Sequence, residues 1–317
     1  MSLKPNKIRG VVVSARERSE FELVREQIFE CDDSINVITF EEILHSPNIL
    51  RDKIDLILTI GGDGSVAYLI GAYYKAFETI EGIKPIVPVV RPESVGYLKQ
   101  LDLERVKFKE GFKKLLSGDY EVIPRTVLEI TVDEHKIVAV NEVLFSSSPH
   151  LGKFTVSIVN GKGSTEIIAE ILADGAMVAT SIGSTAWALS HGGLLNLHED
   201  SLELLFIGAM HRGASYVIPR KGKIIINLDL KNPVVIKETI FAYNQAREKR
   251  NLPYDDNAWD TLNIIYSSQV IADGKVLTFG QKNITIDPNF AIPFVSIKDH
   301  TIYEKARKYT RNTEALW

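Results

Sequence analysis

The stretch Ile60–Gly71 reads IGGDGSVAYLIG, three glycines around one aspartate between an apolar run and a helical pattern. Before it, DLILTI (Asp55–Ile60) has the unbroken apolar character of a strand buried on both faces. After Ser65, the residues Val66, Leu69, Ile70, Tyr73, Tyr74 and Phe77 recur at helical spacing, marking one face of a helix that begins at the loop. Strand, glycine turn and helix start together present backbone N–H groups and the positive end of a helix dipole. Such a geometry suits an anion, and a phosphate is the natural guest.

Gly62, Gly64 and Ala67 also satisfy the G-x-G-x-x-G/A spacing of a dinucleotide fold. Two details count against that reading. The loop follows a strand well inside the domain, and the position about 20 residues on is Glu81, in the turn-like TIEGIKP rather than at a strand end. Asp63 argues further, because a carboxylate at the tip of a phosphate-binding turn repels the ligand unless a cation intervenes or a proton must move. Phosphoryl transfer supplies both reasons. No Walker-type G-x-x-x-x-G-K-[ST] occurs, and GKGST (Gly161–Thr165) reads as a hairpin turn. Taken alone, Gly61–Gly64 also fits a tight turn with Asp63 as helix cap, and the residues leave both readings open.

The surroundings make this a two-domain α/β plus all-β chain. At 317 residues it exceeds an ordinary single core, and its 45% hydrophobic and 25% charged content is that of a globular protein. Up to about residue 120, GVVVSA, INVITF, DLILTI and PIVPVV alternate with the helical RSEFELVREQIFE and VKFKEGFKKLLSG, the pattern of a Rossmann-like parallel sheet. Residues 121–292 read instead as antiparallel β, in strand pairs joined by Gly, Asp, Asn and Lys turns. The tail 293–317, helical in pattern from Tyr303, is expected to pack back on the first domain. Lys237–Asp260 reads as an insertion without assigned chemistry. A net charge of −4 and a basic run confined to Lys305, Arg307, Lys308 and Arg311 give no reason to expect nucleic acid. No apolar stretch suits a membrane span or secretory signal, and a single cysteine, Cys31, fits a cytoplasmic setting.

A second constellation lies downstream. Asn141 and Glu142 interrupt the apolar run VNEVLFSS, which is costly if they are buried without partners. Asparagine offers donor and acceptor together, and glutamate can accept two ribose hydroxyls, so the pair suits a nucleoside. In ADGAMVATSIGSTAWALSHGG (Ala173–Gly193), Ser184 and Thr185 stand where hydroxyls would cap a short helix ending at Gly192 and Gly193. Asp174, before a glycine, fits an ordinary turn acid, and ADGK (Ala272–Lys275) fits an Asp-Gly hairpin turn.

In order and approximate spacing, GGDG, the pair Asn141–Glu142, Asp174–Gly175, GSTAW from Gly183 and the later DGK resemble the NAD kinase family. The resemblance covers about residues 8–295. It implies a kinase that moves a phosphoryl group from ATP or polyphosphate, with Mg2+, to the 2'-hydroxyl of the adenosine ribose of NAD, and a homodimer or homotetramer. Carried over, it implies that Gly61, Gly62, Gly64 and Ser65 hold phosphates and that Asp63 serves as base or metal partner. Asn141, Glu142, Asp174, Thr185, Ala186, Trp187 and Ser190 would contact NAD, with Mg2+ resting mainly on substrate phosphates. Trp187 stands where the family has tyrosine, and Ser65 where it has threonine. Where the family reads N-x-G-x-L-G-F-L, this chain has Arg91, Pro92, Glu93, Ser94, Val95, Gly96, Tyr97 and Leu98. The rivals are another GGDG-loop kinase, acting on a lipid, sphingoid base or sugar phosphate, and a nonenzymatic nucleotide sensor. A dehydrogenase is more distant, since no histidine or lysine sits in an evident hydride-transfer setting.

Overall fold

A computed structural model of the chain describes residues 7–45, 53–91, 98–147, 152–196, 198–210, 215–229, 241, 243–255, 268–280 and 282–297. Two compact units divide it: residues 1–127 with 290–317, and residues 128–289. The sequence suggested breaks after residues 120 and 292, whereas the units part inside two long strands. The tail from Tyr303, Pro92–Ser94 of the altered loop, and residues 237–240, 242 and 256–260 of the insertion lie outside the described residues.

The first unit is built on β1 (Gly10–Ser14), α1 (Arg18–Phe29), β2 (Asn36–Thr39), α2 (Phe40–His45), β3 (Leu56–Ile60), α3 (Asp63–Phe77), β4 (Ile86–Val90), β5 (Leu101–Asp102) and α4 (Arg105–Leu116). Its strands run parallel in the order β2-β1-β3-β4, with β5 against β4. Val11, Val13, Leu56, Leu58, Val87 and Val89 pack with Phe21, Val24 and Ile28 of α1 and with Phe108, Phe112 and Leu115 of α4. The alternate residues Val12, Ile57 and Val90 are buried as well, so the sheet is covered on both faces, which explains its continuous apolar runs. Short connections place the ends of adjacent strands side by side: the Gly61 N–H donates to Val89 O at 2.9 Å.

The second unit carries β6 (Glu121–Val132, from Leu128), β7 (His135–Ala139), β8 (Glu142–Ser146), β9 (Gly152–Val159), β10 (Thr165–Ala173), β11 (Gly175–Ala179), α5 (Trp187–Ser190), β12 (Ser201–Ile207), β13 (Ser215–Pro219), β14 (Lys223–Asp229), β15 (Gln269–Ala272), β16 (Lys275–Phe279) and the start of β17 (Asn283–Ser296). One antiparallel sheet has the order β13-β12-β11-β8-β15-β16. Strands β10, β9, β14 and β17 form a second antiparallel run, and β6 pairs with β7. Val143, Phe145, Ala176, Val178, Leu202 and Leu204 of the first sheet share a core with Phe154, Val156, Ile224, Ile226, Ile284 and Ile286 of the second, as in a β-sandwich. The outer face of the six-stranded sheet, through Leu144, Met177, Ala179 and Leu205, is covered by Ala188 and Trp187. Within the insertion, residues 243–248 are helical, and Tyr243 and Asn244 are tied to Asp255 by hydrogen bonds.

Candidate functional site

The glycine loop leaves β3 and enters α3. Gly61 has φ +138°, a conformation side chains rarely adopt, and a Cβ there would stand 2.0 Å from Ser65 Oγ. Its glycine is therefore demanded by the chain itself. Gly62, at the N-cap of α3, and Gly64 behave differently: a Cβ on either would meet nothing within 4 Å among the described residues. None of those residues requires the two glycines, and the open backbone they leave suits a ligand. Asp63 is the first residue of α3 rather than its cap, and its Oδ1 accepts the Leu98 N–H at 3.0 Å. Among the described residues no three His, Cys, Asp or Glu side chains converge as a metal cluster. Asp63 is the carboxylate the loop itself carries, so a divalent cation arriving with phosphates would find one protein acid at hand.

In the second unit, Asn141 and Glu142 are fixed by their backbones. The side chain of Asp273 accepts the N–H groups of Val140 and Asn141 at 2.9 and 2.8 Å. Thr180 donates its N–H to Asn141 O at 2.9 Å and its hydroxyl to Val140 O at 2.7 Å. Gly183 packs on the same peptide so closely that a Cβ would lie 1.9 Å from Asn141 O. Glu142 is 3% exposed, and its Oε2 has no hydrogen-bond partner among the described residues. Burial, reinforced by the charge of Asp273, pushes its carboxyl up to about 7, and only the Trp187 backbone N–H opposes the shift. Burial likewise raises Asp273, against the pull of the N–H groups it accepts.

The expected helix after GST proves to be a 3-10 turn, Gly183–Thr185, followed by the four-residue α5. Ser184 and Thr185 do not cap it. Ser184 is fully buried, its hydroxyl bonded to Ser181 O and Asn196, while Thr185 Oγ1 donates to Ile182 O at 2.8 Å. The hydroxyls satisfy the tight turn instead, because the chain bends before a regular N-cap can form. Thr185, Ala186 and Trp187 are half-buried beside Glu142; Ser190 is exposed and donates to Trp187 O at 2.7 Å. The Trp187 ring stands edge-on to His191, centroids 5.1 Å apart. Asp174 is not brought to this group. Strand pairing sets Ala179 opposite Glu142 and Gly175 opposite Ser146, so exposed Asp174 lies beyond the far end of β11, about 17 Å along the strand.

The chain is similar to several NAD kinases. It is 37% identical over 147 residues to that of Carboxydothermus hydrogenoformans, covering 45% of this chain and 49% of that protein. Against the Methanosphaera stadtmanae enzyme it is 30% identical over 188 residues, 53% of this chain and 63% of the relative. The alignment with the Fusobacterium nucleatum NAD kinase is longer, 28% identical over 240 residues and 84% of that protein. Over part of its length the chain resembles NAD kinases in sequence. It spans about half of the first of these relatives. No protein-family model matches. Its fold is that of yeast NADH kinase complexed with NADH, with a TM-score of 0.64 and 19% identity over 92% of this chain and 84% of that one. It is also that of the Archaeoglobus fulgidus NAD kinase in complex with ATP, with a TM-score of 0.63 and 20% identity over 94% and 98%.

Two residues of the second unit emerge that reading the sequence gave no role. Asp273 reads as a hairpin turn, and it is one, at φ 47°; its carboxylate nonetheless reaches back 132 residues to hold Asn141. Glu203 hides in the apolar strand β12, fully buried, with Oε1 accepting Leu194 N–H at 2.5 Å and the Ser215 hydroxyl at 2.8 Å. It sits opposite Ala179, as Glu142 does from the other side. For Glu203 the available signal was an acid in an apolar strand; Asp273 gave none beyond its Asp-Gly turn.

Proposed function

We propose that this chain is an NAD kinase, transferring the γ-phosphoryl group of ATP, or the terminal phosphoryl of polyphosphate, to the 2'-hydroxyl of the adenosine ribose of NAD. The observation that carries the reading is Glu142, a buried carboxylate whose Oε2 lacks a partner among the described residues. An orphaned buried acceptor costs about 1–3 kcal/mol, which a ligand hydroxyl would relieve. The resemblance to NAD kinases supports the same choice.

In this reading, Gly61, Gly62, Gly64 and Ser65 hold the donor phosphates, whose own oxygens would chiefly hold Mg2+, with the Asp63 carboxylate beside them. The divalent ion supplies charge neutralisation of the triphosphate. Asp63, oriented by the Leu98 N–H, accepts the ribose proton as the oxygen forms its bond to phosphorus and ADP departs. Glu142 and Asn141 bind the nucleoside, and Thr185, Ala186, Trp187 and Ser190 line it. Asp174 is left without a role within a single chain. The reading carries with it a cytoplasmic setting and a homodimer or homotetramer. The test is direct: pure protein, Mg2+, ATP or polyphosphate, and NAD or NADH, assayed for the 2'-phosphorylated product. Product from neither donor, with NAD still bound tightly, would replace the kinase by a nucleotide sensor.

A further inference from the structure

We propose that Arg91 is a phosphate-binding residue of the glycine loop, its guanidinium held along one edge by Glu20 so that Nη1 meets a phosphate oxyanion lying over Gly61–Gly64. The inference rests on the reading of that loop as a phosphate cradle. Topology puts Arg91 there: β3 and β4 are parallel neighbours, Ile60 opposite Val89, so the residues that follow each strand stand together. Glu20 belongs to the first turn of α1 and is itself steadied by the capping box with Glu17. It takes Arg91 Nε on Oε1 at 2.5 Å and Nη2 on Oε2 at 3.0 Å. Those bonds occupy the Nε/Nη2 edge of the fork. Nη1 lies outside them, 3.8 Å from where a Cβ on Gly61 would stand.

The pair keeps both groups ionised, since each hydrogen bond lowers the Glu20 carboxyl and raises the Arg91 guanidinium. An ion pair this near the surface contributes little to stability by itself, so packing alone is a weak reason for its bidentate order. A guanidinium suits the purpose because its planar fork can bind a carboxylate on one edge and a phosphate with the remaining N–H groups, which a lysine cannot do. Arginine also replaces the neutral asparagine of the pattern the chain resembles, adding a positive charge beside Asp63 and the glycines.

The test is equilibrium binding of sodium tripolyphosphate, ATP with Mg2+, and NAD, each measured by calorimetry on the full chain and on Arg91→Ala and Arg91→Lys. Loss of a charge-assisted contact predicts tripolyphosphate binding weakened about 10-fold or more in Arg91→Ala. Arg91→Lys, which keeps the charge opposite Glu20 and the melting temperature near that of the parent, should lose most of the same affinity. An equal loss for ATP assigns the contact to the donor, and an equal loss for NAD assigns it to the dinucleotide pyrophosphate. Unchanged binding of all three in both variants, or no tripolyphosphate binding by the parent chain, overturns the proposal. Failure to form NADP while the tripolyphosphate difference persists would overturn the kinase reading and leave Arg91 in place.

Discussion

Asp273 holds Asn141 by its backbone, accepting the Asn141 N–H at 2.8 Å on one carboxylate oxygen and the Val140 N–H at 2.9 Å on the other. The tip of the β15–β16 hairpin thereby sets the start of β8, where Glu142 begins. Removing the acid leaves two N–H groups without acceptors. Asp273→Ala should lower stability by roughly 2–4 kcal/mol in denaturant unfolding, and NAD binding should weaken while tripolyphosphate binding by the other unit persists. Stability equal to the parent would show that water replaces the carboxylate at no cost.

Glu142 links pH to both folding and binding. Its carboxyl lies at about 7 in the folded chain against an ordinary 4.5. Between those values the native state keeps a proton that the unfolded chain has released. Stability therefore falls, on account of this residue, as pH rises from about 4.5 to about 7. Glu142→Gln lacks that slope, so its melting temperature relative to the parent should rise between pH 5 and pH 8. Ribose hydroxyls favour the ionised form, so NAD affinity of the parent should strengthen from pH 6 to pH 8 and stay flat in Glu142→Gln. Parallel melting curves across that range would remove Glu142 as the origin.

The glycines of the loop separate fold from ligand. Gly61→Ala combines φ +138° with a clash at Ser65 Oγ and should destabilise by roughly 2 kcal/mol or more. Gly64 lies inside α3 with open space where a Cβ would go, so Gly64→Ala should stabilise the helix by about 0.5–1 kcal/mol. The same variant should bind tripolyphosphate more weakly. Gains in both stability and phosphate affinity would mean that nothing needs the bare backbone.

Asp63→Asn keeps an acceptor for Leu98 N–H and removes the base. Turnover of NAD should drop about 10²- to 10⁴-fold with NAD affinity nearly unchanged. Near-parental turnover would deny Asp63 any part in moving the proton.

The parallel sheet, the helix beginning at the glycine loop and the change to antiparallel β were legible because each rests on local periodicity. Apolar runs in β1, β3 and β4 announce burial on two faces, and the spacing of Val66, Leu69 and Ile70 announces one helical face. Strand breaks such as Asn141–Glu142 were visible for the same reason, as polar residues where the pattern demands apolar ones. Ser184 and Thr185 were misread as caps because a hydroxyl before a short helix looks alike in sequence whether it bonds forward or back into its own turn.

What depended on the tertiary structure is which distant groups meet. No local rule joins Asp273 to Asn141, sets Glu203 and Glu142 on either side of Ala179, or turns Arg91 toward Gly61; strand order and register do that. The same register carries Asp174 away from the Glu142 end of β11, although the two stand in one motif series along the chain. Periodicity is a property of neighbours in sequence, so it determined the elements of this protein, whereas the charges that confront one another across its strands were decided only by pairing residues far apart.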